Sequence, residues 1–146
     1  GPGYGITTQW LLERGARLTA IEVDPALAAG LRAQFAGKVD VHEGDGAELP
    51  LADDSFDAVV CFTMLHHLPS PGQQDRLFAE AARVLRPGGV FAGSDSRLSV
   101  RFRLLHIGDT MVPVDPDTLP GRLRSAGFRD AEAGIGGRSL RFRATR

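Results

Sequence analysis

Three glycines at alternate positions, Gly1, Gly3 and Gly5, stand directly before the helix-like run ITTQWLLERG. Glycine tolerates positive φ and lets backbone N–H groups come close to a ligand, and a helix after such a turn directs its positive end at an anion. Glu22 follows Gly5 by 17 residues. A carboxylate there can accept hydrogen bonds from both hydroxyls of a ribose, or it is a solvated charge ahead of a helix cap. Asp45, inside GDG, could accept from an adenine amino group with the N–H groups of Gly46 and Ala47 facing the ring, or it closes an Asx-type turn. His66 and His67 lie in MLHHLP, and an unperturbed histidine, with a pKa of about 6.5, is mostly neutral near pH 7. Either could accept a proton, or serve packing and hydrogen bonding.

These residues need strand ends to stand on, and the pattern along the chain supplies them. ITTQWLLER reads as a helix closed by Gly15, and RLTAIEV as a short buried strand. Asp24 and Pro25 then open a helix as N-cap and first helical residue, with Leu27, Leu31 and Phe35 on one face and Gly37 at its end. KVDVHEGD alternates like a strand, and His42 within it reads as structural. After a turn at ADDS, where Asp53 and Asp54 read as turn chemistry, FDAVVCF has the continuous apolar character of a strand covered on both faces.

The next helix is predicted from about Gln73 to Leu85, with Leu77, Ala81 and Val84 inward and RPGG stopping it, followed by the strand GVFAGSD. A short helix around RFRLLHI is the expectation within Arg97 to Val114, and His106 and Asp109 in that segment are placed to touch substrate. A last helix begins near DPDT and ends at Gly127, and Pro120 either sits in its first turn or disturbs it. FRDAEAGI and SLRFRATR, joined by GGR, form a hairpin. Alternating strands and helices imply a mostly parallel sheet with helices on both faces, in which ligands bind outside the carboxyl ends of the strands.

The glycines, Glu22 and Asp45 on those ends describe a pocket for an adenosine compound whose far end carries a carboxylate. A dinucleotide fingerprint would need Gly or Ala at position 6, where this chain has Ile6, which argues against NAD. The chain resembles the class I S-adenosylmethionine (SAM)-dependent methyltransferases, in particular the small-molecule methyltransferase domains typified by ubiquinone and menaquinone biosynthesis enzymes. The resemblance runs from GPGYG through AIEVDP, EGDGAELPLADDSFDAVVCFTMLHHL and ARVLRPGG to LRSAGF and the closing strand pair.

That resemblance implies a Rossmann-like, doubly wound α/β fold in which the C-terminal antiparallel hairpin completes a 3-2-1-4-5-7-6 sheet. It implies SAM as cofactor, with Gly1, Gly3 and Gly5 near its methionine part, Glu22 on the ribose, Asp45 on the adenine amino group, and Gly46 and Ala47 lining the ring. The stretch from Phe62 to Leu65 would lie under the cofactor near the methyl group. Methyl transfer is an in-line displacement, and His66 or His67 serves as catalytic base only if the acceptor must lose a proton. The family's first strand, which ends in an acid, is missing ahead of Gly1. The expectation is therefore a piece of a longer protein whose cofactor binding is weak or absent in this form.

Composition narrows the alternatives. The 146 residues are 42% apolar and 24% charged, with a net charge of −1, which suits one globular domain spanning 1–146 and provides no overall field for nucleic acid or a membrane surface. Cys61 is the single cysteine and the four histidines are scattered, so no disulfide and no metal site are expected. No signal peptide or membrane-spanning run is visible, which makes a cytoplasmic protein the default. Alternation along a half-exposed strand accounts for the Arg-rich RSLRFRATR without a ligand. The readings are a methyltransferase acting on a small molecule, a non-catalytic binding domain of the same fold, and, disfavoured by Ile6 and the hairpin, an NAD-linked oxidoreductase.

Overall fold

The structure, a computed structural model, describes residues 1–96, 111–137 and 139–146. The expected helix around RFRLLHI, with His106 and Asp109, lies outside the described residues. The described residues gather into two compact units, Gly1–Pro50 and Leu51–Arg146. No helix among the described residues is long and apolar enough to cross a membrane.

The first unit holds α1 (Ile6–Leu12), β1 (Leu18–Glu22), α2 (Pro25–Gln34) and β2 (Val39–Glu43). β1 and β2 pair in parallel, from Leu18 opposite Val39 to Glu22 opposite Glu43, and α2 is the crossover that a parallel pair requires. Asp24 caps α2 as expected, accepting from the N–H groups of Ala26 at 2.8 Å and Leu27 at 2.9 Å, with Pro25 in the first turn. The buried stripe of α2 is Ala28, Leu31 and Phe35, packed with Ala20 and Val41, whereas Leu27 is only half-buried. At about 100° per residue those three side chains fall within a narrow arc and Leu27 lies at its edge. A spacing of four residues suggests the stripe but does not find its midline.

The second unit contains β3 (Phe56–Phe62), a 3-10 turn (Leu65–His67), α3 (Pro71–Val84), β4 (Leu85–Ser96), α4 (Leu119–Ser125), β5 (Arg129–Gly136) and β6 (Ser139–Thr145). Its sheet runs β3-β4-β6-β5, with β3 and β4 parallel and both pairings of β6 antiparallel. The predicted C-terminal hairpin is therefore present, turning between Gly136 and Ser139. On β6, Leu140, Phe142 and Ala144 are buried while Arg141 and Arg143 are exposed, the alternation expected of RSLRFRATR. Phe91 lies at the centre of the core, with ring centroids of Phe142 at 5.0 Å, Phe128 at 5.5 Å and Phe78 at 6.1 Å.

α3 starts two residues before the predicted boundary because Ser70 caps it, accepting from the Gln73 N–H at 3.1 Å, and Pro71 opens it. Leu77, Ala81 and Val84 point inward as predicted, joined by Phe78 and Gln74. RPGG ends the helix and then forms a wide bulge: Phe56 pairs with Leu85 and Ala58 with Val90, so residues 86–89 stand opposite Asp57 alone. Arg86 bonds Asp57 at 2.5 Å, and Arg146 closes the loop through its N–H to Gly89 O and its own carbonyl to the Gly88 N–H, both at 2.9 Å. Asp53 and Asp54 serve the turn, as expected: Asp53 pairs with Arg83 at 2.6 Å and Asp54, at φ 51°, pairs with Arg146.

β3 departs from the sequence reading. Only its Cys61 face is buried, and Val60 and Phe62 on the other face are 45% and 39% exposed. A continuous apolar run shows that neither face repels packing, not that both are covered. Burial pushes the Cys61 thiol up to about 12. Above pH ~9 the unfolded chain loses this proton while the folded chain keeps it, so stability falls as pH rises from there towards 12, and below that window Cys61 contributes no pH dependence. Denaturant titrations between those limits are expected to show a negative slope that Cys61→Ala flattens. Iodoacetamide at neutral pH should modify the native protein far more slowly than the unfolded one.

Candidate functional site

The first unit brings the glycine turn, Glu22 and the GDG turn to one end of the β1–β2 pair. Gly3 and Gly5 take φ of 54° and 78°, and the Gly5 N–H closes the turn on Pro2 O at 3.0 Å. Only glycine fits position 5, where a Cβ would come within 2.6 Å of the Phe35 ring. Glu22 ends β1 and is 4% exposed, so it is not the solvated charge that was one of its two readings. One carboxylate oxygen, Oε2, accepts the Gly3 N–H at 3.1 Å, and Oε1 accepts the Asp24 N–H at 3.2 Å. The backbone at Gly1 lies so close that a Cβ there would sit 2.6 Å from Oε2.

The carbonyl of Glu22 accepts the Gly44 N–H at 3.0 Å, which fastens the following turn to the end of β1. Asp45 in that turn is exposed, and its Oδ1 accepts the Ala47 N–H at 2.9 Å. The Asx-type alternative is thus realised, with Gly46 and Ala47 half-buried beside it. His42, on β2, pairs with Asp40 at 2.8 Å near the surface.

In the second unit, Phe62 ends β3 and Thr63 takes φ 52°, rare for a β-branched residue, while its N–H donates to Ser94 O at 2.7 Å. The backbone reversal leads into the turn carrying both histidines. The two rings lie 4.0 Å apart, yet their surroundings differ: His67 is exposed and His66 is 2% exposed. His66 Nδ1 bonds Asp95 Oδ1, and its backbone N–H donates to Asp95 Oδ2 at 3.1 Å. Asp95, 3% exposed near the end of β4, was not singled out from the sequence. The signal was available, since Asp95 closes GVFAGSD at a strand's carboxyl end in the same way that Glu22 closes its own strand.

Residues 1–93 match the family model described as "Methyltransferase domain". The chain is 41% identical over 91 residues to a probable S-adenosylmethionine-dependent methyltransferase of Mycolicibacterium smegmatis, covering 62% of this chain and 33% of the relative. It is 32% identical over 113 residues to the ubiquinone biosynthesis O-methyltransferase of Xanthomonas oryzae pv. oryzae, covering 74% and 46%. The chain thus spans about a third to a half of the length of these relatives. A SAM-dependent methyltransferase structure from Archaeoglobus fulgidus superposes with a TM-score of 0.82 over 100% of this chain and 83% of that one, at 16% identity, which shows the shared fold. With a glycine turn pinned to a buried strand-end acid, a Rossmann-like α/β neighbour and a family model matched across residues 1–93, the chain belongs to the class I S-adenosylmethionine-dependent methyltransferases.

Proposed function

We propose that the protein transfers the methyl group of SAM to a small-molecule acceptor in the cytoplasm. The observation that carries this reading is Glu22, a carboxylate withdrawn from solvent at a strand end with the glycine turn on one oxygen. Each of its oxygens holds one N–H and keeps a second lone pair, enough for the two hydroxyls of a ribose. At Gly3 and Gly44 no atom lies within 4 Å of a Cβ position, so the backbone of both turns is open to an approaching group. The residues present therefore fit an adenosyl group.

In this reading Gly1, Gly3 and Gly5 offer backbone to the methionine part of the cofactor and Glu22 accepts from the ribose. Asp45, still carrying one carboxylate oxygen beyond its turn bond, accepts from the adenine amino group, with Gly46 and Ala47 beside the ring. SAM, when bound, supplies an electrophilic methyl group on a positively charged sulfur. The protein's task is alignment and exclusion of water, and a base enters only where the acceptor carries a proton that must leave. A small-molecule acceptor is supported by the ubiquinone biosynthesis relative.

Calorimetric titration of S-adenosylhomocysteine into the full-length protein tests the reading. Micromolar affinity is expected, with a rise in Tm on adding S-adenosylhomocysteine and none on adding NAD. Stabilisation by NAD alone, or no heat with S-adenosylhomocysteine, overturns it.

A further inference from the structure

Val112 lies against the turn that carries both histidines, and its backbone is held there at both polar groups. Its N–H donates to His66 O at 3.0 Å, and its carbonyl accepts from Gln74 Nε2 of α3 at 2.7 Å. Among the described residues, Met111, Pro113 and Val114 make no hydrogen bond, so Val112 is the polar tether of the segment 111–114. The same Gln74 nitrogen donates to Leu65 O at 3.1 Å, which joins segment and turn to one amide.

Donor and acceptor chemistry decides how that amide is turned. Leu65 O and Val112 O only accept, and Gln74 is wholly buried, so its own oxygen needs a donor as well. Arg122 of α4 supplies it, donating to Gln74 Oε1 at 2.9 Å and having no acceptor to offer. A glutamate in the same place would satisfy Arg122 and leave both carbonyls without a donor. The two ends of this junction differ in their surroundings. Arg122 also donates to Asp75 at 2.7 Å and to Pro71 O at 2.9 Å, and its side chain is 19% exposed. It borders a cavity of about 670 Å3 between α3 and α4, lined also by Ala79 and Gly121. The guanidinium therefore has room to withdraw, whereas Gln74 is enclosed by the core. The turn has a separate hold from the sheet, where Asp95 Oδ2 accepts the His66 N–H at 3.1 Å. Loss of the Gln74 junction thus frees the segment at Val112 and leaves the turn in place.

We propose that Arg122 and Gln74 form a latch through which α4 controls whether the segment 111–114 stays docked on the histidine turn. With Arg122 in place, the Gln74 amide keeps both of its N–H groups on the two carbonyls. With Arg122 withdrawn, the amide is free to rotate and Val112 O loses its fixed donor. The segment then opens locally while the sheet stays folded. The proposal stands apart from the methyl-transfer reading and concerns the second unit alone.

Amide hydrogen exchange, followed by NMR in the 15N-labelled full-length protein, tests the latch without any substrate. Arg122→Met and Gln74→Glu are each expected to speed exchange of the Val112 N–H about 10- to 100-fold, the scale of leaving a buried group without its hydrogen bond. The His66 N–H and the amides between β4 and β6 should keep their rates. Asp75→Asn disturbs the surface pair but spares the contact with Gln74, and should leave Val112 as it is in the unsubstituted protein. Unchanged Val112 exchange in Arg122→Met overturns the proposal, as does equal acceleration at His66, which would show the whole turn opening. An effect of Asp75→Asn as large as that of Arg122→Met overturns it too, since the surface pair alone would then hold the segment. Should Gln74→Glu not fold, Arg122→Met measured against Asp75→Asn decides.

Discussion

Gly93→Ala is expected to lower the stability of the protein by more than about 3 kcal/mol, the upper part of the range for overpacked cores. Gly93 lies within β4, opposite Cys61 on β3 and Phe142 on β6. A Cβ built there would stand 2.0 Å from the Cys61 carbonyl oxygen and 2.6 Å from the Phe142 ring. A flexible side chain could swing away, but the carbonyl belongs to a strand hydrogen-bonded to β4, and Phe142 is held against Phe91. Relief therefore requires β3 and β4 to separate. In thermal unfolding the loss corresponds to a fall in Tm of roughly 6–12 °C for a domain of this size. Gly134→Ala on β5, where no atom lies within 4 Å of the new Cβ, serves as the comparison and should change Tm little. Equal Tm values for the two variants would contradict the close approach at Gly93.

Glu22→Gln is expected to weaken S-adenosylhomocysteine binding by about 10- to 100-fold, the scale of losing hydrogen bonds to a charged group at about 1.5–3 kcal/mol. The carboxylate accepts from Gly3 on one oxygen and from Asp24 on the other. A glutamine has one oxygen for these two N–H groups and turns its own NH2 towards the remaining one, so the glycine turn and the start of α2 can no longer both be held. Glu22→Ala abandons both N–H groups and is expected to reduce affinity at least as far, with a loss of stability as well. Recognition is separated from folding by the nucleoside itself. 5′-Methylthioadenosine should bind the unsubstituted protein more tightly than its 2′,3′-dideoxy analogue does, and the two should bind Glu22→Gln alike. A variant that still discriminated between them would show that the ribose hydroxyls have another partner.

Much of the fold was legible because its signals act over a few residues. Asp24–Pro25 announced α2, Gly37 its end, and the alternation of RSLRFRATR the inward and outward faces of β6. Ser70–Pro71 announced the start of α3 equally plainly, although the helical apolar pattern alone placed it two residues later. Glu22 and Asp45 were legible too, because a strand that must pack apolar on one side shows where its apolar run stops, whereas Asp95 was not singled out. Less legible was how far each face would be covered: Leu27 and Ala28 differ by one position on the helical arc, and FDAVVCF reads the same whether one side is packed or two.

The order of elements, the glycines before α1, and the acids Glu22 and Asp45 after their strands were determined by the sequence itself, through turn chemistry and periodicity. Only the tertiary structure decided that Glu22 is buried against Gly3, 19 residues away, and that His66 rather than His67 meets Asp95 across 29 residues. It also decided that Gly93 has no room for a methyl group. Propensity and capping depend on neighbours in the chain, whereas burial and hydrogen-bond partnership depend on which distant segments arrive at the same place. His66 and His67 are adjacent and alike in sequence, and packing alone makes one a withdrawn, oriented imidazole and leaves the other at the surface.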